Sequence, residues 1–230
     1  MRYLRFLFET LLPSIGFNLH YLPFRQAIHL PIYIRKPHYH HKKGQIIIDS
    51  PRITRGMIRL GELKTLIYPD TGIRWSNLGR VIFHGTAIIG ANSSIIISKN
   101  ATVEFGDDFL NTSSLHLAAF IGIKFGIKAR LGWDTTIIDT NFHPLFDIEK
   151  NRFKKAYGKI EIGDYNWFGT QCLIMHSVIT PERCIFGARS VIARGCTFES
   201  YCVHGGSPLH VLTRNVMRRY GEDQITDYVE

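Results

Sequence analysis

Between Ile162 and Gly205 the bulky apolar residues fall on every sixth position: Ile162, Phe168, Ile174, Phe186, Ile192 and Phe198, with polar Thr180 taking one beat. Four positions after each beat stands a smaller residue: Asn166, Cys172, Val178, Cys184, Ser190, Cys196 and Cys202. Gly163, Gly169 and Gly187 follow three of the beats directly. A strand alternates with a period of about 2 and a helix with about 3.6, so a helical stripe would drift out of this phase. A short fixed period is the mark of a stacked solenoid. Six residues suit a short strand plus a corner, one flat face of a coil at a time. The predicted class is therefore all-β.

The same pattern divides the chain. Residues 1–45 are aperiodic, carry Pro13, Pro23, Pro31 and Pro37, and end in a basic run from His38 to Lys43. Short β-branched runs at 45–49, 82–83, 88–90, 95–97 and 103–106, separated by Gly, Asn and Asp, read as strands with corners. The solenoid is expected over 46–207. The polar, basic stretch 144–158 interrupts it, and long loops inside compact folds tend to be functional. Residues 208–230 read as a terminal cap, with a helix through Val211, Asn215 and Met217. Covering the ends of the stack is the default task of both termini. Near the N-terminus, Leu4, Leu7, Phe8 and Leu11 form one helical stripe. Docking on its own domain is the expected use of this stripe; contact with a membrane surface is the alternative. Arg5 and Glu9 break the apolar run, so it reads neither as a signal core nor as a membrane span.

Composition adds bounds. The 230 residues, 45% hydrophobic and 20% charged, fit one ordinary globular domain with a small extra layer. A net charge of +9 suggests an anionic partner. Nucleic acid ranks last among the options, because no RNP, zinc-finger or helix-turn-helix signature is present. A phosphate loop is absent too. All four cysteines share one phase of the hexad, which predicts small inward-facing residues rather than bridges or metal ligands. On that pattern Cys184 and Cys202 stack about 4.8 Å apart on successive coils. Thiols kept reduced imply the cytoplasm. His38, His40 and His41 lack a helical i, i+4 pair or nearby carboxylate, so no metal site is expected there.

Several segments resemble the hexapeptide-repeat acyltransferases, in their galactoside, maltose and polysaccharide O-acetyltransferase branch. The stretch 132–144, ending Asn141-Phe142-His143-Pro144, is similar to the segment that ends in that branch's catalytic histidine. Residues 162–169 resemble its Ile-Gly-Asp-x-x-Trp-Ile-Gly, and 186–191 its Ile-Gly-Ala-Gly-Ser-Val. Gly205-Gly206-Ser207-Pro208 stands where the family has Ala-Gly-Asn-Pro, and 22–31 looks like the leader of members from surface-polysaccharide gene sets. The resemblance implies a left-handed parallel β-helix. It also implies a homotrimer with active sites between protomers, acetyl-CoA as co-substrate and a sugar or glycan acceptor.

Acyl transfer from a thioester to a hydroxyl needs a base, and imidazole suits the task. Among eleven histidines, His143 stands apart, since Pro144 turns the chain out of the coil directly after it. In the family's mechanism it would deprotonate the acceptor, and the oxygen would attack the thioester without an acyl-enzyme; no Gly-x-Ser-x-Gly elbow is present. Asp139 would orient His143 or bind a sugar hydroxyl. Asn111, Trp133 and Asn141 are the expected acceptor contacts. Trp167, Gly169, Thr170, Ala188, Arg194 and Arg214 are expected along the coenzyme, with Thr170 N–H near the oxyanion and Arg194 first among the phosphate cations, ahead of Arg189, His210 and Arg214. The family's usual small corner residue is replaced by Arg189, and a glutamate found in some members by Ala156.

Other readings are an N-acyltransferase of an amino-sugar nucleotide and a non-catalytic scaffold. A zinc-dependent β-helix of the carbonic anhydrase kind is disfavoured, because its histidines five apart are missing here.

Overall fold

The structure is a computed structural model that describes residues 2–221. Among these, three parallel sheets form the faces of a triangular coil. The first face runs from Ile32–Ile34 to Cys202–Gly205, the second from Pro37–His41 to Val191–Ile192, and the third from Gln45–Ile48 to Ile179–Thr180. The chain visits the faces in that order, coil after coil, with residues in register.

Register converts the six-residue beat into columns. Phe83, Phe105 and Phe125 lie one above another inside the third face, their rings 5.1 and 5.4 Å apart and nearly parallel. Phe168 and Phe186 stack at 4.5 Å inside the first face, and His204 continues that column at 5.3 Å. Trp75, Ile95, Leu117, Ile137, Ile174 and Ile192 fill the second. Almost all of these side chains are fully buried, so hydrophobic burial and ring stacking act along the whole axis.

The corners recur for a steric reason. Tyr165, Gln171, Ser177, Arg183 and Arg189 all have φ between 55° and 63°. This left-handed conformation is uncommon for residues with a Cβ and reverses the chain in a single step. Each stands one position before a small residue of the hexad, which points inward. Cys172, Cys184 and Cys202 are buried there as free thiols, and Cys196 is half-buried. Burial pushes the Cys184 thiol up to about 12, with neighbouring Cys202 adding to the rise, and the Cys172 thiol up to about 11. At the corner between the first and second faces, glycine is required by close stacking. A Cβ on Gly132 would sit 2.8 Å from the Gly169 carbonyl carbon, and one on Gly169 would sit 2.7 Å from the Ala188 nitrogen.

Three expectations about the ends are corrected. The coil begins at Ile32, inside the segment 1–45, because Ile32–Ile34 pairs in parallel with Ile58–Glu62. No helix covers Val211–Asn215 at the other end: His210–Arg214 folds back antiparallel on Cys202–Gly205 and extends the first face. Residues 222–230 lie outside the described residues. The third correction concerns the N-terminal helix, which docks through a mixed face and buries its predicted stripe only in part, at half-buried Leu7 and Leu11. Thr10, Ser14, Phe17 and Asn18 are buried, while Leu4, Phe8, Leu12, Ile15 and Leu19 are exposed. The reason lies in the edge strand, whose backbone groups need partners. Asn18 Nδ2 donates to the Ile32 carbonyl at 2.7 Å, Ile32 N–H donates to Asn18 Oδ1 at 3.1 Å, and Ile34 N–H donates to Ser14 Oγ at 2.9 Å. Pro13 contributes as well. It cannot donate to the Glu9 carbonyl four residues earlier, the helix widens to a π turn over Leu7–Leu11, and Lys36 N–H takes that carbonyl at 2.8 Å.

Candidate active site

The third-face corner is small in most coils. After Thr136–Ile138, however, the chain leaves the stack and returns only at Ile160–Ile162. His143 stands at the start of this excursion. Its N–H donates to the Asn141 carbonyl at 2.6 Å, a three-residue turn with Phe142 at φ 60°. Phe142 N–H donates to Thr140 Oγ1 at 2.9 Å, and the Phe142 ring packs edge-on against Phe120 at 4.9 Å. Asn141 N–H donates to the Ala156 carbonyl at 2.7 Å, which ties the outgoing strand to the returning one. The backbone around His143 is thus fixed. Its imidazole is exposed and makes no hydrogen bond among the described residues. The excursion carries a small hairpin, Phe146–Asp147 against Arg152–Phe153. Phe142, Leu145, Phe146, Ile148, Phe153 and Tyr157 are all exposed on it.

Asp139 does something other than orient His143. It is fully buried. Oδ1 accepts Phe120 N–H at 2.8 Å, and Oδ2 accepts Ile121 and Gly122 N–H at 2.7 Å each. It holds the corner of the preceding coil, and neither the imidazole nor solvent is among its partners. The sequence signal for this role was its position one residue past a strand end, where a carboxylate can cap three N–H groups of the coil stacked against it.

Asn111 is likewise interior. It occupies the inward column of the first face between Ile89 and Leu131, and its amide bonds Gly90 N–H and the carbonyls of Ser113, Leu131 and Gly132. Asn77 and Asn166 bond corner backbone in the same way. Asn111 is fully buried among these contacts. Trp133 is half-buried at the corner between the first and second faces, and its carbonyl accepts Gln171 N–H. Asn141 is exposed beside His143.

Of the coenzyme candidates, Gly169, Thr170 and Ala188 meet at that same corner. The Thr170 carbonyl accepts Arg189 N–H at 2.9 Å. Trp167 lies outward on the first face, 37% exposed, with the Arg218 guanidinium 4.7 Å from its ring. Arg194 lines a hollow of about 500 Å³ together with Cys196, Pro208 and His210. Arg214 does not share it. Its Nε and Nη2 each donate to Glu199 at 3.0 Å, which holds that carboxyl below its ordinary range. Arg189 donates to Gln171 at 2.7 Å. The sequence reading singled out neither His176, buried at the corner that carries the excursion one coil later, nor His116, which shares a hollow of about 470 Å³ with His38, Arg74 and Asn92 on the second face. An outward phase within the hexad was the available signal for His116.

The topology separates two groups of candidates. His143 projects from the corner between the second and third faces, whereas Trp167 projects from the first face. In a triangular cross-section that corner lies opposite that face. One protomer therefore cannot bring the two side chains together.

Comparison with known proteins adds the fold. No protein-family model matches the chain, and a search of curated proteins finds no match. Among solved structures it is similar to the polySia-specific acetyltransferase NeuO, at 14% identity over 83% of this chain and 92% of that one, with a TM-score of 0.55. It is also similar to the polysialic acid O-acetyltransferase OatWY (18% identity, 84% and 93% covered, TM-score 0.42) and to a maltose O-acetyltransferase from Clostridium difficile 630 (13%, 90% and 84%, 0.34). At these identities the likeness is one of fold, and the first alone has a TM-score above 0.5. The chain has the left-handed parallel β-helix fold, shared with NeuO.

Proposed function

We propose that this protein is an acyltransferase that moves the acetyl group of acetyl-CoA to a sugar hydroxyl, with His143 as general base. The observation that carries the reading is the presentation of His143. An exposed imidazole without side-chain partners is held on a bonded turn at the root of an apolar excursion. Imidazole in that setting is available to accept a proton. It would take the acceptor hydroxyl's proton as the oxygen attacks the thioester carbon. Collapse of the tetrahedral intermediate breaks the C–S bond, and the proton passes from the imidazolium to the departing thiolate. The Thr170 N–H makes no hydrogen bond among the described residues and is suited to the developing oxyanion.

The site is completed between copies. Opposite placement of His143 and Trp167 supports a site shared by two protomers, and a closed three-fold arrangement would satisfy every seam equally. The exposed aromatic and aliphatic residues of 144–158 would be covered at that seam, as large exposed apolar patches generally are. Arg194, lining one hollow with His210, offers the phosphates of the coenzyme a cation. The shared fold with a polysaccharide acetyltransferase supports the acceptor class, a surface polysaccharide or glycolipid sugar.

The test is thiol release from acetyl-CoA with a panel of sugars and amino sugars, alongside sedimentation of the native protein. His143→Ala is expected to lower turnover by ~100-fold or more, as loss of a general base does, with thermal stability unchanged because the side chain is exposed. Full activity in that variant excludes the role. Acylation confined to amino groups redirects the reading to an N-acyltransferase, and a monomer that is fully active refutes the shared site.

A further inference from the structure

The N-terminal helix is amphipathic in the reverse sense to a normal surface helix. Ser14 and Asn18 are spent on the edge strand and Phe17 enters the core, while most of the other apolar residues are exposed. Leu4, Phe8, Leu12, Ile15 and Leu19 recur at spacings of three and four, so they share one face over several turns. Phe24, 72% exposed, and Ile28 are further exposed apolar residues just past the helix end. Among the described residues no helix is long and apolar enough to cross a membrane.

Charge identifies the partner. Residues 1–60 hold ten Lys and Arg against two Asp and Glu, so most of the net +9 lies in this part of the sequence; Asp70 pairs with Arg35 and Lys36, and Glu62 with Arg59. One of the two acids, Glu9, is turned inward and paired with Arg35 at 2.8 Å and Lys36 at 3.5 Å. Arg5 and Arg25 are exposed beside the apolar residues. A second copy docked face to face on this helix would bring the Arg5 and Arg25 of both copies together, at a cost in free energy. An anionic lipid surface accepts both features, since apolar side chains enter the acyl boundary while flanking cations meet the headgroups.

We propose that the protein rests on anionic membrane surfaces through this end of the coil, with Phe8, Leu12, Ile15, Leu19 and Phe24 inserted and Arg5 and Arg25 against the headgroups. Acidic lipid and apolar insertion act together, because either alone gives weak, reversible binding.

The experiment is co-sedimentation of the full-length protein with vesicles of phosphatidylcholine containing 30 mol% phosphatidylglycerol, and with pure phosphatidylcholine. Wild type is expected to pellet with the acidic vesicles and at least ~10-fold more weakly with the neutral ones. Phe8→Ser/Leu12→Ser/Leu19→Ser alters only exposed positions. It is expected to keep its thermal unfolding profile and to lose ~10-fold or more in partition. Arg5→Glu/Arg25→Glu, with the apolar face intact, is expected to lose the preference for acidic vesicles, which keeps the test valid should the serine variant misfold. Wild type that fails to pellet with acidic vesicles overturns the proposal. So does a triple variant that pellets equally, or one whose only change is a smaller assembly by sedimentation velocity, which would mark the face as a contact between copies.

Discussion

Replacing Asp139 separates a structural carboxylate from a chemical one. Its two oxygens accept three backbone N–H groups at 2.7–2.8 Å in a fully buried setting. Hydrogen bonds to a charged acceptor contribute about 1.5–3 kcal/mol each, and a buried donor left without a partner costs about 1–3 kcal/mol. Asp139→Asn keeps the volume but turns one oxygen into a donor, so at least one N–H faces an N–H; the expected loss is about 2–3 kcal/mol. Asp139→Ala strands all three donors. Non-additivity brings the sum to roughly 3–6 kcal/mol, a large part of the ~5–15 kcal/mol that holds an ordinary domain. In a solenoid each coil touches only its neighbours, so the damage is local first. Amide exchange at Phe120, Ile121 and Gly122 is the matching assay. A loss of about 2 kcal/mol speeds it by ~30-fold, with a lower midpoint in thermal unfolding. Because Phe120 packs on Phe142, turnover should fall only in part, well short of the loss in His143→Ala. Asp139→Asn with normal exchange and stability, but with the same loss of turnover as His143→Ala, would refute the structural reading and return the carboxylate to the chemistry.

The remaining expectations concern titrating groups. Cys184 and Cys172 are buried with thiols raised to about 12 and about 11, so a thiol reagent at pH 8 should label Cys196 first in the native protein. Rapid modification of all four cysteines before unfolding would contradict the inward corners. His204 is fully buried beneath Phe186 and accepts Glu199 N–H at 3.1 Å, and burial holds its pKa below the ordinary value, against opposing pulls from the Ile185 and Cys202 backbone and Glu199. The unfolded chain then binds more protons than the folded one just below pH ~6.5, so His204 contributes destabilisation as pH falls through that value and none above it. His204→Phe should flatten the pH 5–7 portion of the thermal-midpoint curve; an unchanged slope sinks the assignment.

How much was legible in the sequence follows from the range over which each feature is decided. The β-helix was legible because its repeat is local. A beat at Phe168 and one at Phe186 describe the same face whatever else the chain does, and close packing then stacks them. The inward cysteines followed from the same phase. The place where the chain leaves the coil was legible because Pro144 marks it. The partners that Asp139 and Asn111 meet on neighbouring coils, 17 to 21 residues away, were not legible. Local pattern fixes which way a side chain points, whereas only stacking fixes what it meets. The apolar stripe of the N-terminal helix shows the same division. Sequence shows that Leu4, Leu7, Phe8 and Leu11 share a face. The edge strand, whose Ile32 and Ile34 backbone groups bond Ser14 and Asn18, decided that Leu4 and Phe8 of that face would turn outward.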